Sequence, residues 1–229
     1  MTIDKLLSDI CYHEAGHFVI GEMVHQIKEL GFDSSESVTI NIKFGEKYLN
    51  HVRGFRPYHN QETADIFFEE LKEQKIKAEI LILLAGFVSY CVYVDDTKNF
   101  IKDPFIDNDE GILTKKNYEY YYQDSIYDIY KRPPPIGHDF YEIGKILHHN
   151  YPMDDNRKLK FIQSLVDELK KIFLLDGVRK AVAITYEIFK EENGNVIKVD
   201  ELDSLKDLIY HFLQPHILNF EKTIYGLNP

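Results

Sequence analysis

Three polar side chains, His13, Glu14 and His17, interrupt a stretch that otherwise reads as a buried helix. From about Ile3 to Leu30 there is no proline, and Leu7, Ile10, Ile20, Val24 and Ile27 recur at helical spacing until Gly31. That pattern predicts one long helix. Ile10, Phe18, Val19 and Ile20 crowd around the polar group. Burying two imidazoles and a carboxylate among them is costly unless some partner, such as a metal ion, satisfies them. Whatever the chain folds into must supply that partner inside its first helix.

The five residues His13-Glu14-Ala15-Gly16-His17 form an H-E-x-x-H sequence. On an α-helix, positions i and i+4 lie one above the other, so both imidazoles can reach one ion while Glu14 points nearby. With this composition a bare match arises by chance in roughly one chain in thirty of this length, so the apolar flanks carry much of the argument. Zinc suits such an arrangement, because it takes neutral imidazole nitrogens at about 2.0–2.1 Å, and a catalytic zinc keeps one position for water. Glu14 is then the candidate general base, taking a proton from that water as it attacks a peptide carbonyl. Ala15 and Gly16 leave room for a second element to approach, a reason to keep a glycine that costs about 1 kcal/mol of helix propensity.

At 229 residues, 44% of them hydrophobic and 28% charged, the chain as a whole suits one large or two small domains with a real core. A net charge of -11 repels phosphate backbones, and no basic patch offsets it, so nucleic acid is not an expected partner. Cys11 and Cys91 are too few for a disulfide framework and fit a reducing compartment. With no secretory pattern at the N-terminus, a cytoplasmic location is expected. Residues 37–44 alternate, with Val38, Ile40, Ile42 and Phe44 on one face, and residues 52–55 can pair beside them. An amphipathic lead-in from Thr63 to Glu79 runs into the apolar segment Ile80–Val94, which reads as a buried helix and is too short to span a bilayer. Residues 95–135 are acidic, rich in tyrosine between Tyr118 and Tyr130, and end in Pro133-Pro134-Pro135, the texture of an inserted loop. Helical patterns return at about 137–150, 155–174, 177–192 and 200–212, with Gly177 and Gly194 read as helix-ending glycines and Asp200, with Asp203 beyond it, as a start signal. The fold class expected is mainly α, an α+β chain with one small sheet after the first helix.

The segment Tyr12–Val19, YHEAGHFV, resembles the zinc-binding helix of the FtsH-type AAA protease family, whose signature reads HEAGHA. Ser37–Ile42 resembles the strand that follows in that family, and Ala78–Val88 resembles its helix with a leucine-alanine-glycine signature. Gly137-His138-Asp139-Phe140 resembles the stretch whose aspartate is the family's third zinc ligand. The resemblance covers most of the chain and implies an FtsH-like peptidase domain, residues 1–229, with the long insertion ahead of the third ligand. It implies His13, His17 and Asp139 as zinc ligands and Glu14 as the base. Asp139 also stands near a helix start, where any carboxylate is favoured by the helix dipole. Glu142, Asp128 and Asp124 are alternative third ligands. His138 could add a donor beside the site.

Two departures bear on function. Where the family has a pair of glutamates, this chain reads Ser89-Tyr90-Cys91, and no glycine-rich loop ending in lysine and serine or threonine occurs, so ATP binding is not expected. The expected activity is that of a zinc metalloendopeptidase acting on unfolded or flexible polypeptides, with homo-oligomers possible. The other reading is a non-proteolytic interaction module that keeps the metal site.

Overall fold

The computed structural model describes residues 3–40, 51–55, 71–94, 136–151 and 154–227. The expected lead-in helix before Leu71, the second half of the 37–44 strand, and the 95–135 insertion with Asp124 and Asp128 lie outside those residues.

Helix α1, Ile3–His25, forms where the unbroken helical pattern predicts it, but it stops short of Leu30. A 3-10 turn, Lys28–Leu30, follows and closes at Gly31, whose φ of 59° is left-handed. From Asp9 to Val24 nearly every α1 residue is buried, so it is the central helix and not an amphipathic cover. Helix α2, Lys72–Tyr93, lies along it and is apolar on most sides, burying residues such as Leu81, Leu84, Ala85 and Val88. By length and composition α2 could cross a membrane, yet 67% of its most apolar window is buried inside the protein, as befits a core helix.

The other helices sheathe this pair. Helix α3, Ile136–Asn150, and helix α4, Asp155–Phe173, pack on α2, while α5, Asp176–Glu191, packs on the other flank of α1. Asp154 begins α4 by accepting a hydrogen bond from the Arg157 amide at 3.0 Å. Tyr12 of α1 stacks between Tyr186 of α5, at 4.1 Å between ring centroids, and Tyr93 of α2, at 5.5 Å. Helix α6, Val199–Gly226, covers α5 and buries Leu202, Leu205, Ile209, Leu213, Phe220 and Ile224. Its length corrects the expected end at residue 212: the helix runs through Pro215. A proline inside a helix costs about 3 kcal/mol, and packed residues on both sides of it offset that cost.

Two further readings of punctuation are corrected. Gly177 lies in the first turn of α5 and ends no helix. A Cβ there would run into the Phe212 carbonyl and the His216 ring of α6, so it marks a close approach between helices. At the start of α6 it is Glu201, not Asp200, that takes an orphan amide, accepting from Lys198 N–H at 3.0 Å. Gly194, with φ 98°, does follow α5 as expected.

The sheet has three antiparallel strands in the order β2-β1-β3, with β1 at Ser37–Thr39, β2 at His51–Arg53 and β3 at Val196–Lys198. Val38 faces Val52 on one side and Ile197 on the other. The pairing of β1 with β2 is as expected. Strand β3 has no period to read, because three residues with one buried position carry almost none. Cys11 and Cys91 are both buried, and neither is in a disulfide.

Buried Glu22, near the end of α1, ties the approach to β1 onto that helix. It accepts from Ser34 Oγ at 2.9 Å, Ser35 Oγ at 2.9 Å and the Ser35 amide at 3.1 Å. Replacing Glu22 with alanine strands these donors, at about 1–3 kcal/mol for each that stays dry. Urea unfolding of Glu22→Ala is expected to show a loss of about 2–4 kcal/mol with an unchanged denaturant slope.

Candidate metal centre

Each polar residue of the first helix has a distinct place at the α1–α2 crossing. One helical turn stacks His13 and His17 on the face that meets α2, both buried. Gly16 lies against the Ala85 carbonyl and Ser89 Cβ, where a side chain of its own would collide. Gly86 of α2 faces both imidazoles in return: a Cβ there would run into His17 Nε2 and stand 2.8 Å from His13 Cε1. Ser89 Oγ donates to the Tyr12 carbonyl at 2.7 Å and pins the crossing one turn further on. The leucine-alanine-glycine signature thus has a local physical meaning, since its glycine makes room for two rings.

Asp139, in the first turn of α3, completes the group. Its Oδ2 is 3.1 Å from His13 Nε2 and 3.2 Å from His17 Nε2, and the two nitrogens are 3.0 Å apart. Three potential ligand atoms therefore form a nearly equilateral triangle. A tetrahedral ion with bonds of about 2.0–2.1 Å sets its donors about 3.3 Å apart, close to these separations. His17 Nδ1 lies 2.7 Å from the Ile82 carbonyl, which can only accept. That bond fixes the proton on Nδ1 of the neutral ring and turns the Nε2 lone pair toward Asp139 and His13, as outer hydrogen bonds do for metal-bound imidazoles. His13, His17 and Asp139 can hold a metal ion.

Glu14 is buried beside this triangle, and its Oε2 finds no hydrogen-bond partner among the described residues. Burial is the main force raising its pKa, with Asp139 adding to the rise; the imidazoles and a backbone hydrogen bond from Val52 pull the other way. Burial also opposes charge on His17, yet the charge and hydrogen bond of Asp139 outweigh it and raise the imidazole to about 9. On Asp139 burial works against ionisation, but the facing imidazoles overcome it and hold the carboxyl well below the usual range.

The structure brings together all four residues singled out in the sequence. Glu142 is half-buried one turn along α3 and is not one of the three converging ligands. Three contributors escaped the sequence reading: the Ile82 carbonyl, the Val52 backbone and Gly86. Only Gly86 had a signal, the signature it belongs to. No family model matches the chain, and no curated protein or solved structure was found to be similar to it.

Two outcomes follow from this geometry. Gly86→Ala drives a methyl group into the rings, so elemental analysis after supply of a divalent metal is expected to find far less than the near-stoichiometric load of the native protein. Asp139→Ala should lose the metal as well. In metal-free protein, the raised His17 pKa contributes stability that is fully present below about 6.5, its ordinary value, and disappears as pH rises through about 9. The lowered Asp139 pKa adds stability above about 4 that is lost in more acidic solution. Metal competes with the His17 proton, so binding tightens over the interval in which metal-free protein weakens. Thermal melts from pH 6 to 9.5, with and without metal, are expected to show a gap that widens with pH.

Proposed function

We propose that this chain is a zinc-dependent endopeptidase with the fold of the FtsH-type peptidase domain, acting on unfolded or flexible polypeptides. One observation carries the reading: a buried carboxylate with an oxygen that has no partner among the described residues stands beside three converging ligand atoms, close enough for all three residues to act on its ionisation. A purely structural histidine pair gives no reason to bury Glu14 there.

His13, His17 and Asp139 would hold the ion. Two nitrogens and one oxygen are a donor set suited to zinc and leave a fourth position open. Zinc so held supplies Lewis acidity, polarising a scissile carbonyl and making a neighbouring water acidic. The protein's own residues do the rest. Glu14 takes the proton of the attacking water on its free oxygen and delivers it to the leaving amine as the carbon–nitrogen bond breaks. Its raised pKa suits both halves of that cycle, because a very weak base would not accept the proton and a very weak acid would not return it. The hydrogen bond to Ile82 keeps the His17 ring from rotating out of the ligand plane.

Flexible polypeptides are the substrate class that belongs to this reading. A cytoplasmic location belongs to the same reading. So does the resemblance to a peptidase domain, although the stretch where the family carries its glutamate pair reads Ser89-Tyr90-Cys91 here, with Ser89 pinning two helices.

Zinc-loaded protein is expected to cut an unstructured polypeptide such as casein, and Glu14→Gln to retain zinc while cutting it about a hundredfold more slowly or worse. Chelation should abolish cleavage and zinc restore it. Native protein that binds zinc but leaves a panel of unfolded substrates intact would overturn the peptidase reading in favour of an interaction module.

A further inference from the structure

A chain of contacts links the end of α1 to the strand beside Glu14. Gly54 follows β2 with φ 121°, and a Cβ on it would meet the Ser34 carbonyl and come within 2.7 Å of Ser35 Cα. Those two serines are the ones Glu22 holds against α1. Phe55 comes next with φ 54°, a left-handed conformation that is strained for a bulky residue of this kind. Its buried ring lies flat against Gly21, where a methyl group on the helix would overlap three of its atoms. At the other end of the same segment, the Val52 backbone hydrogen-bonds the Glu14 carboxylate. Glu14 and Gly21 are about two turns apart on one helix. The segment from Val52 to Phe55 therefore runs along α1, gripping it at both ends.

A strained aromatic residue is kept where the surrounding structure over-determines it, and such strain gathers at functional sites. Neither hydrophobic burial nor strand pairing requires Phe55 to adopt a left-handed backbone. Registering β2 against α1 does, because it turns the ring back onto the only residue in that turn of the helix without a side chain.

We propose that Phe55, wedged on Gly21 and backed by Gly54 on the Glu22-held serines, is a positioning residue: it fixes β2 so that the Val52 amide occupies one oxygen of Glu14 and leaves the other for water. This inference rests on the peptidase reading for its consequence, but the geometry it asserts is independent of activity. Binding and metal loading are left to other residues, so the wedge acts on turnover.

The test uses the zinc-loaded chain and two readouts, peptide cleavage and amide hydrogen exchange at Val52. Val52 lies in an edge strand of a three-residue ladder, where an amide with no other acceptor exchanges fast. Protection of that amide in the native protein, lost by about tenfold or more in Glu14→Ala, is expected from the contact itself. Phe55→Ala and Gly21→Ala are expected to accelerate exchange at Val52 and to lower kcat by about tenfold, the scale of a small misplacement of a catalytic group, with KM and zinc content close to native. Should Phe55→Ala fail to fold, the size swap still decides: Gly21→Ala combined with Phe55→Leu is expected to regain Val52 protection and most of the kcat lost in Gly21→Ala. Fast exchange at Val52 in native protein, or exchange unaltered by Gly21→Ala, overturns the proposal. So does accelerated exchange with native kcat. A native protein that cuts no peptide defeats the peptidase reading alone, and the exchange measurements still decide the wedge.

Discussion

At Gly16 and Gly86 the two central helices meet with no side chain between their backbones at one point and only imidazole at the other. That contact governs the rest of the molecule. It puts the Ile82 carbonyl within reach of His17, the Tyr12 carbonyl within reach of Ser89, and the mouth of the histidine pair opposite the start of α3. Interiors are close-packed and transmit a displacement of even one methyl group, so an alanine at either glycine is felt at the ligands directly. The remaining helices are arranged around this pair, α5 on one flank and α3 with α4 on the other.

Two buried imidazoles with one buried and one half-buried carboxylate are an unusual set in a helical core, and its members are not equivalent. His13, His17 and Asp139 satisfy one another closely, whereas Glu14 has one oxygen without a partner among the described residues. In a low-dielectric interior an incomplete polar network is destabilising, so the imbalance has to be maintained by packing. The strand that runs along α1 beside Glu14 and the wedge that anchors it provide such packing. Affinity for an ion and chemistry on a water would then depend on different parts of the scaffold, the first on the helix crossing and the second on the sheet.

Much of this was legible in the residues. The proline-free helix with His13, Glu14 and His17 at its centre announced both a buried element and its need for partners, and Gly16 announced a close neighbour. The four later helices were readable to within a residue or two, apart from the far end of α6, because their apolar positions recur at a strong period. Where the reading failed, the signal was short or came from outside the element. Strand β3 is too brief to show alternation, and the expected end of α6 at residue 212 misses a last stretch held by packing beyond Pro215, which leaves no local signal. Gly177 reads as a terminator in sequence and as a contact point in space, a difference only the position of α6 reveals. Asp139 was reached by resemblance and not by pattern, since a carboxylate at a helix start has reason enough to be there without a metal. Ile82 and Val52 contribute through backbone atoms, which leave no mark on a sequence.

The triangle also joins parts of the chain that are far apart, for His17 and Asp139 are separated by about 120 residues of sequence. Bridging them pins a very large loop, as a covalent staple would. The entropy of closing such a loop grows only with the logarithm of its length, about 0.6 kcal/mol for each doubling. A segment such as residues 95–135 can therefore lengthen or shorten by many residues while hardly altering how readily the two ends find each other. Chain closure therefore sets little limit on the length of the stretch between the second and third described helices.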